Sequence, residues 1–130
     1  MLEPVAALLA VRLPTLTAAY VFGSTARGDA RPDSDLDVAV LAAAPVARDL
    51  LWSVSEDLAL AVSRDVDLVD LRDASTVLAA QIIATGKVFI DRSPEARRAF
   101  EGRAYADYAR LNEERREILK AVAARGTIYG

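Results

Sequence analysis

Apolar positions along the chain change period several times, and each change marks an element. Val5, Leu8, Leu9 and Leu13 recur at helical spacing and predict a helix over Glu3 to Arg12, which Pro14 ends. Ala18 to Phe22 is a short apolar run that reads as a buried strand. Gly23-Ser24 then opens a brief turn or helix that reaches Gly28, and 29–34 reads as a polar loop. Leu36, Val38 and Val40 alternate with Asp37 and Ala39, which predicts a second strand. From Ala47 the period returns to that of a helix, with Leu50, Leu51, Val54, Leu58 and Val62 on one face. A third strand is expected over Asp65 to Leu71. Ser75 and Gly86 bracket a helix, and Val88 to Ile90 reads as a fourth strand. Ser93 followed by Pro94 is a strong helix start. Beyond it the helix pattern runs to about Arg125, with Gly102 as its single weak point and Phe100, Tyr108, Leu111, Ile118, Leu119 and Val122 as an apolar stripe. Residues 126–130 read as a loose tail. Alternation of helices and strands in the order α-β-α-β-α-β-α-β-α predicts a small α/β domain.

Composition narrows the chemistry. The 130 residues suit one compact domain. The chain has no cysteine and no histidine. Disulfides, thiolate nucleophiles, histidine bases and histidine or cysteine metal sites are thereby excluded, and a reducing cytoplasm is the expected compartment. Nineteen acidic residues against sixteen basic ones give a net charge of −3. Hard cations held by carboxylate oxygens are therefore the first metal chemistry to expect. The acidic balance argues against a grip on long nucleic acid. No apolar run approaches the roughly 18 residues that span a bilayer, so no membrane partner is expected.

The segment from Val21 to Val38 carries the candidate site. Gly23-Ser24 stands where a strand gives way to a helix. There, free backbone N–H groups and the Ser24 hydroxyl can receive a phosphate, and glycine permits its close approach. Arg27 adds a positive charge one turn on. Asp35 and Asp37 lie two apart, so on a strand both carboxylates face the same way. Like charges at that separation repel unless a cation lies between them, which suits Mg²⁺ bridging carboxylates and phosphate oxygens. An Asp-x-Asp pair alone is usually a solvated strand edge; the combination at this spacing is far more specific.

Gly23-Ser24, ten residues, then Asp35-Leu36-Asp37 resembles the signature of the polymerase β-like nucleotidyltransferase superfamily. The fuller pattern, Gly-Ser-x-Ala-Arg-Gly followed by Ser-Asp-x-Asp, looks like its minimal nucleotidyltransferase (MNT) branch. That resemblance implies a small mixed sheet flanked by helices, with residues 1–92 forming the nucleotidyltransferase core and 93–130 a long C-terminal helix and tail of the same domain. It implies a third carboxylate on a neighbouring strand. Asp67 fits the pattern best, with Asp65 and Asp70 as alternatives. It further implies ATP as substrate at Gly23, Ser24 and Arg27, and two Mg²⁺ ions on Asp35, Asp37 and Asp67, which would form the catalytic centre.

Stand-alone proteins of this size resemble the antitoxins of HEPN/MNT toxin–antitoxin pairs. There the resemblance implies transfer of AMP to a tyrosine of a HEPN ribonuclease toxin. Two alternatives stay open: an antitoxin that neutralises by contact alone, and a nucleotidyltransferase acting on a small molecule or RNA. Part of the C-terminal helix is a candidate surface for the partner, although packing on the sheet is the simpler expectation for its stripe.

Overall fold

The structure is a computed structural model and describes residues 2–31 and 33–125. Pro32 and the expected tail at 126–130 lie outside the described residues. Nine elements follow one another: α1 (Glu3–Arg12), β1 (Leu16–Phe22), α2 (Gly23–Arg27), β2 (Leu36–Ala42), α3 (Arg48–Val62), β3 (Val66–Asp70), α4 (Thr76–Thr85), β4 (Lys87–Asp91) and α5 (Pro94–Ala124). The order is the one expected, with β1 starting two residues before the expected Ala18 and β4 one residue wider at each end.

The four strands form one sheet in the order β3-β2-β1-β4. β1 pairs antiparallel with both β2 and β4, whereas β2 and β3 run parallel. α3 makes the crossover that a parallel pair requires. Alternation along the strands sends two sets of side chains to opposite faces. Ala19, Val21, Leu36, Val38, Val40 and Leu68 pack with Val5 and Leu9 of α1 and Val54 and Leu58 of α3. On the other face Ala18, Tyr20, Ala39 and Leu41 pack with Leu71 and with Ala79 and Ile82 of α4, and Phe100 of α5 joins them.

The capping residues act as their types dictate at two helix starts. Ser75 Oγ accepts the backbone N–H of Leu78 at 3.1 Å, and Ser93 Oγ accepts that of Ala96 at 3.4 Å. Gly86 ends α4, as expected. It is extended (φ −78°, ψ 171°) and not the left-handed stop that glycine commonly provides. The reason for glycine here is space: a Cβ would come within 2.5 Å of the Ile82 carbonyl oxygen and 2.9 Å of the Val21 carbonyl oxygen. α5 also differs from a simple packed helix. Its first half is anchored on the sheet, but Ile118 and Leu119 of the apolar stripe are 63% and 68% exposed. No helix among the described residues is long and apolar enough to cross a membrane.

Candidate active site

β1 delivers the chain to the site. Phe22, its last residue, pairs with Asp37 of β2. Gly23 then turns with φ +66°, a conformation that side chains disfavour, and opens α2. A Cβ at Gly23 would fall 2.2 Å from Asp37 Oδ2. Glycine therefore serves both the turn and the close approach of the carboxylate. Gly28, also at positive φ (80°), closes this short helix.

The loop that follows is held at its far end. Ser34 Oγ accepts the Arg31 backbone N–H at 2.9 Å, and Arg64 Nε donates to the Ser34 carbonyl at 2.8 Å. These contacts fix the approach to Asp35, which stands just ahead of β2 and not within it as the spacing suggested. Asp35 is exposed and Asp37 half-buried.

The parallel pair places the three candidates for a further carboxylate differently. Asp67 is the partner of Asp37 across β2 and β3. Partners in register project to the same face, so Asp37 and Asp67 are neighbours. Asp70 has the opposite parity. It is 4% exposed and accepts backbone N–H groups from Val46 at 2.8 Å and Arg72 at 3.1 Å, which makes it a tie for the β3–α4 turn. Asp65 precedes the strand and lines a separate cleft with Asp33 and Glu56.

Electrostatics couple the three remaining carboxylates. Burial raises the Asp37 carboxyl above the ordinary aspartate range, and the negative charges of Asp67 and Asp35 push it further, while Arg27 opposes them. Asp37 has no hydrogen bond or ion pair among the described residues. Arg27 is exposed and pairs with Asp29 at 3.4 Å. No group of three acidic side chains among the described residues is drawn tightly enough to enclose a metal ion. The donor set nevertheless suits a hard divalent cation: it is all oxygen, it converges on one face, and its repulsion calls for positive charge. Asp35 and Asp67 are exposed, so their side chains exchange rotamers readily and can close on a cation.

Sequence reasoning did not find the cleft on the other side of Gly23. Phe22, Gly23 and Arg27 form one wall of it. Leu78, Gln81, Ile82 and Thr85 of α4 form the other. Their spacing is that of a single helix face, which was visible in the sequence, but nothing there pointed to what the face opposes. A buried Thr25 Oγ1, with no hydrogen-bond partner among the described residues, was equally invisible.

The polymerase β nucleotidyltransferase family model matches residues 7–95. The chain is 38% identical over 117 residues to the protein adenylyltransferase MntA of Shewanella oneidensis, covering 90% of this chain and 84% of that one. Among solved structures, a toxin–antitoxin complex with AMP-PNP superposes with a TM-score of 0.83 at 36% identity, covering 93% of this chain and 97% of the other. A complex of tri-AMPylated Shewanella oneidensis HEPN toxin with MNT antitoxin superposes with a TM-score of 0.76 at 35% identity, covering 92% of each chain.

Proposed function

The chain belongs to the polymerase β nucleotidyltransferase family, and from that premise we propose that it is a cytoplasmic, Mg²⁺-dependent protein adenylyltransferase. It moves AMP from ATP to a tyrosine of a HEPN-type toxin and thereby acts as the antitoxin. The observation that carries this reading is Asp37: a half-buried carboxylate without a hydrogen-bond or ion-pair partner among the described residues, pressed against Gly23 and close to the charges of Asp67 and Asp35. The MntA relative, named as a protein adenylyltransferase, and the AMPylated HEPN toxin bound by a similar MNT antitoxin support the choice of protein as acceptor.

In this reading Gly23 and Ser24 receive the β and γ phosphates, and Arg27 adds charge to the same region. Asp35, Asp37 and Asp67 would hold Mg²⁺, two ions by family resemblance. When bound, the metal would neutralise phosphate charge and lower the proton affinity of the acceptor hydroxyl. Asp67 belongs to an edge strand, so a macromolecular acceptor can reach it without displacing an element. The acceptor oxygen forms a bond to the α-phosphorus, and the bond from that phosphorus to pyrophosphate breaks. The hydroxyl proton passes to Asp67 and then to solvent. Alignment and charge supply most of the acceleration.

The test is transfer of label from α-³²P-ATP to a HEPN-type toxin by the purified chain. Label is expected with Mg²⁺ and not with chelator, and an Asp35→Asn/Asp37→Asn variant should lose it. Undiminished transfer by that variant would overturn the assignment.

A further inference from the structure

We infer, resting on the adenylyltransferase reading of the same site, that the protein acceptor docks across the free edge of β3 and the outer flank of α3, and that Trp52 is the contact that selects it. The occupant is an extended segment of the partner protein, with an apolar side chain and a basic residue beside the hydroxyl to be modified.

The sheet separates two directions of approach. Gly23 and Ser24 follow β1, Asp37 belongs to β2, and Asp67 stands beyond it on β3, the edge strand. In-line displacement sets the attacking oxygen opposite the leaving pyrophosphate. With pyrophosphate at Gly23 and Ser24, the acceptor comes from the β3 side. There Asp67 forms part of the wall of a cleft of about 290 Å³, together with Trp52 and Ser55 of α3.

No strand covers that edge. Val54 and Leu58 seat α3 on the sheet, whereas Trp52 and Leu60, about two turns apart on its outer flank, are 69% and 80% exposed. Tryptophan is among the residues that most often anchor protein interfaces. The Leu36 N–H donates to the Asp65 carbonyl and the Leu71 N–H to the Val40 carbonyl, each at 2.9 Å. Alternate residues of β3 thus face β2, and Val66 and Leu68 between them turn their backbone groups outward. Ser55 Oγ donates to the Val66 carbonyl at 3.1 Å. The Leu68 groups face the open edge, where an extended segment can pair with them.

Charge narrows the occupant further. An adjoining cleft of about 580 Å³ is lined by Asp33, Glu56 and Asp65, with Arg64 as its single base. Successive residues, Ser55 with Glu56 and Asp65 with Val66, divide between the two clefts and make them one groove. None of these three carboxylates has an ion pair among the described residues. A basic residue of a protein segment offsets this acidity, whereas a nucleic acid meets it as like charge.

Trp52 is the single tryptophan of the chain, so 5-fluorotryptophan gives one ¹⁹F resonance, from the docking surface itself. That resonance should shift when a HEPN-type toxin is added to the full chain. Trp52→Ala should lower kcat/KM for the toxin by about 10-fold, through KM, and leave Mg-ATP affinity unchanged by calorimetry, which also reports that the variant is folded. Glu56→Lys should lower kcat/KM as well, and its deficit should shrink at high salt. A resonance that the toxin does not move, or an Ala variant with wild-type kcat/KM, overturns the inference and leaves the adenylyltransferase reading standing. A resonance that moves with chain concentration alone puts a second copy on this surface and also overturns it. Absence of transfer to the toxin by the wild type overturns the inference and the functional reading together.

Discussion

At Asp37 burial and like charge act in the same direction. Both disfavour the ionised form, so the folded protein binds this proton more tightly than the unfolded chain does. Stability that is intact below the ordinary aspartate range, about 3.9, is lost as pH rises through the raised value. The metal-free protein at neutral pH therefore carries an unfavourable charge that the proposed function would require. Asp37→Asn should raise the Tm of the metal-free protein at pH 7, flatten this part of its pH–stability profile, and abolish transfer. Thermal melts across pH 3 to 8 with chelator present would show it; a lower Tm for the variant at pH 7 would contradict the account.

Among the elements, the first half of α5 is held by a polar tie and not by apolar packing alone. The buried Tyr20 hydroxyl donates to Glu101 Oε2 at 2.7 Å. Arg97 bridges Glu101 and Asp91 of β4, each at 3.0 Å. Burial and the Glu101 charge push the Tyr20 phenol well above the usual tyrosine range. The tie therefore persists at neutral pH, and its contribution falls only as the solution passes about pH 10, where the unfolded chain ionises. Tyr20→Phe should destabilise by about 1–3 kcal/mol, because a half-buried charged acceptor loses a donor. Chemical denaturation at pH 7 measures it, and a change near zero would show that Arg97 alone satisfies Glu101.

Elements with local signals were legible in the sequence. Ser75 and Ser93 announced their helices, and 3.6 and 2.0 residue periods separated helices from strands. Gly23, Ser24 and the Asp35/Asp37 pair could be picked out because their relation is local along the chain. The relation of Asp67 to Asp37 depends on pairing between strands separated by α3, and spacing alone left Asp65 and Asp70 open. The lack of room for a side chain at Gly86 was not legible, because the carbonyls that crowd it come from α4 and β1. The outer half of the α5 stripe misled for a related reason: periodicity reports an apolar face, not whether anything covers it.

Over the whole molecule, the sheet has helices on both faces, and the carboxylates lie at the start of the parallel pair. The far half of α5 stands apart from this body, with Ile118 and Leu119 in water. A double substitution Ile118→Glu/Leu119→Glu should therefore leave folding stability within about 0.5 kcal/mol of wild type. Under the proposed function the same change should weaken association with the HEPN-type partner, read by calorimetric titration of the two proteins. Unaltered affinity would remove this end of α5 from the interface, whereas a large drop in stability would show that it packs in solution.

The pairing of Asp37 with Asp67 makes α3 a ruler. One residue added to or removed from the crossover presses β3 to slide by one position, and a strand that slides by one turns over. Asp67 would then be driven inward among the leucines and valines while Leu68 took its place in solvent. Under the proposed function, length along this helix is consequently a catalytic parameter, enforced far from the carboxylates themselves.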